Sequence, residues 1–206
     1  MCERGRILVS CATTVMLLVV IVLGLNCLRN QPVHHFRVVE EGVLYRGGQP
    51  SPSALDYIIN RYKIRTVVNL RGGQPDKDWW RAERDVCSRH GVRMVDVRID
   101  ACDTAACGLK QFLTVAANSD DWPVYLHCEH GSVRAGCAVA AYRIAIRGWS
   151  YDNAMREAVK LGFHPHGKMR REYGMILREL AAGLDWRELS DARASSDDCA
   201  AVDADD

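Results

Sequence analysis

Between Gln31 and about Trp186 the chain alternates short apolar or β-branched runs with longer stretches whose apolar residues recur every three or four positions. The short runs predict strands at Val43–Arg46, Arg65–Leu70, Arg93–Ile99 and Pro123–His127. The longer stretches predict helices. Ser51 has the character of an N-cap and Pro52 that of a first helical residue, opening a helix to about Tyr62. Asp76–His90 is amphipathic and closes at Gly91. Further helical patterns cover Leu109–Ala117, Val133–Arg147, a segment from Ser150 to Leu161, and about Lys168–Ala182. Strands alternating with helices predict an α/β fold, with a mostly parallel central sheet of four to five strands flanked by helices.

Both ends depart from this pattern. No charge interrupts Ile7–Leu28. A helix of that length reaches about 33 Å at 1.5 Å per residue, enough to cross a bilayer core. A cleaved signal peptide competes with that reading, but Gly24-Leu25-Asn26 is a poor cleavage site. An N-terminal transmembrane helix is therefore expected, anchoring the protein in a membrane. Lys and Arg are nearly balanced across the segment; if its N-terminus stays inside, the globular part lies outside the cytoplasm. At the other end, Asp191, Asp197, Asp198, Asp203, Asp205 and Asp206 face Arg193 alone, in a stretch too small and acidic to bury a core. The expected division is an anchor over 1–30, a globular domain over 31–188 and an acidic disordered tail over 189–206.

Composition adds two constraints. The chain is 48% hydrophobic and 26% charged with a net charge of +1, values of a globular protein with no sign of a nucleic-acid partner. Its nine cysteines form neither disulfide-framework spacings nor Cys-x-x-Cys metal pairs. They read as buried or membrane thiols, among which context must single out any reactive one.

That context is His127-Cys128-Glu129-His130-Gly131-Ser132-Val133-Arg134, which contains Cys-x5-Arg. The spacing also occurs at Cys87/Arg93 and Cys137/Arg143. The first of these runs from a helix into a strand, and the second lies inside one apolar helix whose amides are already bonded. Only Cys128 follows a strand and precedes a helix, the order in which loop amides converge on an anion at a helix N-terminus. Gly131 lets the loop curl, Arg134 offers a planar fork for two phosphate oxygens, and the positive field favours the nucleophilic thiolate. His127 is placed to hold the loop in shape.

This stretch resembles the cysteine-dependent protein tyrosine and dual-specificity phosphatases, whose signature is His-Cys-x5-Arg. VLYRGGQPS (Val43–Ser51), RTVVNLRG (Arg65–Gly72), DWWRAERDVCSRHGVR, PVYLHCEHG and AYRIAIRGWS extend the likeness to atypical members of the bacterial, plant and fungal type, over roughly Phe36–Arg178. The resemblance implies that Cys128 is the nucleophile. Arg134 and the loop amides of Glu129, His130, Gly131, Ser132, Val133 and Arg134 would bind phosphate, and no metal or cofactor is required. It also implies an aspartic acid that protonates the leaving oxygen. Asp100, ending the strand MVDVRI, is the first choice, Asp103 is the alternative, and Asp96 lies inside the strand.

Ala135 departs from the family, which usually carries Ser or Thr there to stabilise the departing thiolate. Phosphatases of regenerating liver share the change, so slow phosphocysteine breakdown is expected. The implied substrates are phosphotyrosine or phosphoserine/threonine proteins. A phosphoinositide or inositol phosphate is the alternative, and a weakly catalytic, membrane-tethered phosphate-binding module is a third reading that Ala135 keeps open. Inositide-directed relatives often carry lysines in this loop; here Glu129 adds a negative charge and His130 a conditional positive one.

Arg71 is a candidate either for charge near the pocket or for a structural ion pair. His164-Pro165-His166 reads as a loop rather than a metal site, since histidines flanking a proline cannot share a helix face. Of Trp79 and Trp80, one is expected in the core and the other at its edge. Cys102 and Cys107 lie near the candidate acid, where a redox partner for Cys128 is conceivable.

Overall fold

The computed structural model describes residues 15–20, 33–100 and 105–189. The chain separates into two compact units, 1–32 and 33–206. In the first, residues 15–20 are helical and present exposed apolar side chains. Among the described residues no helix is long and apolar enough to cross a membrane. Most of the predicted 7–28 span lies outside the described residues, as does the predicted tail from residue 190 onward.

The second unit contains strands β1 (Arg37–Glu40), β2 (Leu44–Gly47), β3 (Thr66–Asn69), β4 (Arg93–Asp96) and β5 (Val124–His127). Its helices are α1 (Pro52–Tyr62), α2 (Asp78–His90), α3 (Ala105–Ala117), α4 (Val133–Ala145), α5 (Tyr151–Lys160) and α6 (Gly167–Ala181). The sheet has five strands in the order β1-β2-β5-β3-β4. The β1–β2 pair is antiparallel, and β2–β5, β5–β3 and β3–β4 are parallel. The predicted α/β architecture is therefore present. Strand β1 was not anticipated, because Arg37-Val38-Val39-Glu40 is short and half exposed and carries a bulge. Ser51 caps α1 as expected, its hydroxyl accepting from the Ala54 amide at 3.2 Å.

Alternation along the central strands divides the core. Leu44, Val68, Val124 and Leu126 face one side, against the apolar faces of α3, α4 and α6. Tyr45, Val67 and Tyr125 face the other, against Leu55, Ile58 and Ile59 of α1 and Val86 and Cys87 of α2. Each fully buried Leu or Ile here is worth about 1.5–3 kcal/mol relative to exposure. The same alternation puts Arg46 on the first side and His127 on the second. The parallel strands β2 and β5 end side by side, Gly47 opposite His127, so the loop after β5 is gripped from opposite faces.

Two predicted boundaries moved for a packing reason. β4 leaves the ladder after Asp96, because β3 turns at Asn69; one further bond joins the Val97 amide to Asn69 O at 2.9 Å. α3 begins at Ala105 rather than Leu109, since its small first-turn residues pack against the chain leaving β4. A Cβ on Gly108 would lie 2.2 Å from Arg98 O.

Candidate active site

Cys128 directly follows β5, and its side chain is almost fully buried. The chain then turns through 129–132 into α4. The Gly131 amide donates to Cys128 Sγ at 3.2 Å, so the loop curls back over the sulfur. Gly131 has φ +73°, and a Cβ there would meet Gly47 C and Gly48 N at 2.5 Å. Its lack of a side chain is thus required twice, by backbone conformation and by the backbone pressed against it. On the far side of that contact the Gln49 amide donates to Glu129 O at 3.0 Å, and the Tyr125 hydroxyl donates to Gly48 O at 2.9 Å. The turn after β2 is thereby a second wall of the loop.

Ser132 is the N-cap of α4 but makes no capping bond with its side chain. The first-turn amides of α4 have no intrahelical acceptors, which leaves them for an anion at the dipole's positive end. Arg134 lies in this turn with a partly exposed side chain. Its Nη1 is 3.6 Å from Asp100 Oδ1 and its Nη2 is 3.7 Å from Glu129 Oε2. Asp100 also accepts from Arg98 Nε at 2.7 Å. Sulfur, amides, guanidinium and carboxylate thus gather at one mouth, which brings together Cys128, Arg134 and Asp100. Asp103 lies outside the described residues. Asp96 is engaged elsewhere, accepting from Asn69 Nδ2 at 2.6 Å and Trp80 Nε1 at 2.8 Å. Burial pushes its carboxyl above the usual range, against the pull of those two bonds.

His127 anchors the loop from below. Its Nε2–H donates to Glu83 Oε1 at 2.6 Å, both side chains being buried, while Nδ1 lies 3.4 Å from Cys128 O. Glu83 Oε2 accepts from Gln49 Nε2, and Arg71 Nη1 donates to Gln49 Oε1 at 2.9 Å. A polar chain therefore runs from Arg71 at the surface to the residue before the nucleophile. Arg71 also stacks over Trp79, its guanidinium carbon 3.8 Å from the ring centre. Trp80 is the core tryptophan and Trp79 the edge one.

Sequence reasoning missed Glu83 and Arg46. A signal for Glu83 existed: it falls among Trp80, Val86 and Cys87 on the buried face of α2, and a carboxylate in an apolar stripe needs a partner. Arg46 is likewise a charged residue in a strand buried throughout. The cysteine expectation also needs correction, because Cys107 is disulfide-bonded and so offers no thiol as a partner for Cys128. Cys102 lies outside the described residues. Cys87, Cys128 and Cys137 are free and buried. Ala135 is fully buried behind the loop. His164 and His166 lie between α5 and α6. Among the described residues no group of three or more His, Cys, Asp or Glu is placed to hold a metal ion.

A family model described as DSP-PTPase phosphatase fused to NAD+ kinase matches residues 30–172. The chain belongs to this phosphatase family. Among curated proteins, the family likeness extends to the dual specificity protein phosphatase TpbA of Pseudomonas aeruginosa strain UCBPP-PA14. That protein is 30% identical over 129 residues, or 62% of this chain and 55% of TpbA. An inositol diphosphatase of Oryza sativa subsp. japonica is 27% identical over 117 residues, or 54% of this chain and 50% of that protein. The chain thus spans about half the length of the curated relatives it matches. Among solved structures, P. aeruginosa TpbA superposes with a TM-score of 0.54 at 25% identity, covering 77% of this chain and 90% of that one. The catalytic domain of the S. cerevisiae PP-IP phosphatase SIW14 gives 0.59 at 19% identity, covering 75% and 95%, a likeness of fold alone.

Proposed function

We propose that the protein hydrolyses phosphate monoesters through a phosphocysteine intermediate, acting on phosphotyrosine or phosphoserine/threonine proteins. The observation that carries this reading is the bond from the Gly131 amide to Cys128 Sγ, in a strand-to-helix loop completed by Arg134. A sulfur that accepts a backbone N–H beneath open helix amides is stabilised as an anion, and a thiolate is a competent nucleophile. The thiolate attacks phosphorus, and the P–O bond to the leaving group breaks. Arg134 and the loop amides take up the equatorial oxygens, which replace the carboxylates as partners of Arg134. Asp100 gives its proton to the leaving oxygen. Water then attacks phosphorus, Asp100 accepts its proton, and the P–S bond breaks to release inorganic phosphate and the thiolate. In that second step buried Ala135 has no hydroxyl to give the departing sulfur.

Substrate class follows from charge at the mouth. Glu129 lies beside Arg134 and takes no part in the proton transfers, so a substrate carrying phosphates next to the scissile one meets its carboxylate. This supports a phosphoprotein over a densely phosphorylated inositol. TpbA has been crystallised with pTyr. The inositol reading is supported by the relative named as an inositol diphosphatase. We further propose that residues 7–28 anchor the protein in a membrane, a reading supported by the charge-free run there.

The full chain should hydrolyse a small aryl phosphate in the presence of a chelator, and Cys128→Ser should abolish this. Full activity in that variant would remove the mechanism. A panel of phosphopeptides and inositol phosphates then decides the substrate, with a higher kcat/KM on inositol phosphates counting against the phosphoprotein reading.

A further inference from the structure

Arg46 has no part in the scheme above, although it lies directly beneath the phosphate loop. β2 carries it into the sheet, where it is 0% exposed. A guanidinium does not give up its proton in a folded protein, so this is a permanent interior charge. Interior charges cost several kcal/mol each unless something offsets them. Its hydrogen bonds do so only in part. Nη2 donates to Gly131 O and, at 3.3 Å, to Leu161 O, while Nε and Nη1 have no hydrogen-bond partner among the described residues. No described carboxylate is within ion-pairing distance of it. Burial weakens its hold on its proton, and the neighbouring Cys128 and Glu157 charges act the other way.

The bond to Gly131 has a direct consequence for the site. Gly131 gives its N–H to Cys128 Sγ and its carbonyl to Arg46. With the oxygen held below, the lone pairs of that peptide point away from the anion cradle. Arg134 differs in kind. It is partly exposed at the mouth, where Asp100 and Glu129 offset its charge. Arg46 has no carboxylate in contact with it, Glu157 acting only at a distance while paired to Arg143, and interior charges act through a lower effective dielectric.

We propose that Arg46 is a positioning residue of the phosphate loop, holding the Gly131 carbonyl out of the cradle and favouring, by its charge from beneath, the thiolate of Cys128. This rests on Cys128 being the nucleophile. The other titratable or charged groups around that sulfur are Tyr125 and His127 of β5, Arg134 of α4, Tyr173 of α6 and Asp100 after β4. Glu129 and His130 belong to the loop itself, and Glu83 of α2 backs His127. Tyr125 and Tyr173 are pushed up by burial and stay neutral, so they add no countercharge.

The test is the pH dependence of iodoacetamide alkylation at Cys128 in the full chain, read on the peptide that carries it. Cys87 and Cys137 interfere little, because burial pushes the Cys87 thiol up to about 12 and that of Cys137 higher. Arg46→Gln removes the charge but keeps a donor for Gly131 O; Arg46→Lys keeps the charge and loses the fork. We expect the alkylation midpoint to rise by about one pH unit or more in Arg46→Gln and to stay near the wild-type value in Arg46→Lys. Aryl-phosphate kcat/KM near pH 6 should fall about 10- to 100-fold in Arg46→Gln. A midpoint unmoved in Arg46→Gln, or moved equally in both variants, would overturn the proposal. If Arg46→Gln does not fold, Arg46→Lys decides: a wild-type midpoint with reduced kcat/KM supports the proposal, and a midpoint raised by about a unit overturns it. Cys128→Ser run alongside separates the two readings. If it is inactive while the Arg46 variants titrate normally, only the role of Arg46 fails; if it is active, the phosphocysteine reading fails.

Discussion

Replacing Glu83 by alanine should damage stability and activity together, although Glu83 touches no substrate in the proposed mechanism. Its carboxylate accepts from His127 Nε2 at 2.6 Å through one oxygen and from Gln49 Nε2 through the other. The His127 and Glu83 side chains are 0% and 2% exposed. In Glu83→Ala both donors lose their acceptor, His127 in a fully buried position and Gln49 in a partly buried one. An unsatisfied buried donor costs about 1–3 kcal/mol and a partly buried one less, so the pair costs about 2–4 kcal/mol. For a domain of this size that is a fall in Tm of roughly 5–15 °C. Glu83→Gln keeps one acceptor oxygen and should cost about half as much. Urea unfolding monitored by circular dichroism gives the free energy, and aryl-phosphate turnover well below Tm gives the activity. The expected activity loss appears in kcat as well as KM, because His127 sets the position of the residue that attacks. A Glu83→Ala protein within about 0.5 kcal/mol of wild type, with unchanged kcat, would show that the pair neither stabilises the fold nor holds the loop.

Three further outcomes follow from the same geometry. Gly131→Ala must abandon φ +73° or displace the backbone at Gly47 and Gly48, so it should cost about 2–4 kcal/mol and most of the activity; normal phosphate release by a stable variant would contradict this. Asp100→Asn should slow hydrolysis of poor leaving groups by about 10²- to 10⁴-fold while affecting activated aryl phosphates much less, and equal losses on both would point to Asp103 or another acid. Ala135→Ser should speed phosphocysteine breakdown and so shrink the burst of product release relative to the steady rate; an unchanged burst in stopped-flow would remove the explanation offered for slow turnover.

Much of the fold was legible because its elements carry their own signals. Ser51-Pro52 marks the start of α1, Gly91 the end of α2, and the β-branched run at 66–69 a strand buried on both faces. What escaped depends on tertiary neighbours. β1 is a strand only because β2 offers it a partner, and the first turn of α3 is a helix only because Gly108 sits against Arg98. The site divides in the same way. Cys128, Arg134, Gly131 and His127 lie within one short segment, and strand-then-helix order separated that segment from two decoys of equal spacing. Glu83 and Arg46 reach it from α2 and β2, at sequence separations of 44 and 85 residues from their partners His127 and Gly131. Spacing carries no information across such distances, whereas the rule that a buried charge needs compensation does.

The proposed chemistry passes through a covalent bond between Cys128 and phosphorus, which can be caught directly. The protein is mixed with a small aryl phosphate, quenched in acid within one turnover, digested and examined by mass spectrometry. A single phosphoryl group is expected on the peptide containing Cys128, absent from Cys128→Ser and longer-lived in wild type than in Ala135→Ser. A phosphoryl group on another residue, or rapid turnover by Cys128→Ser, would contradict this chemistry.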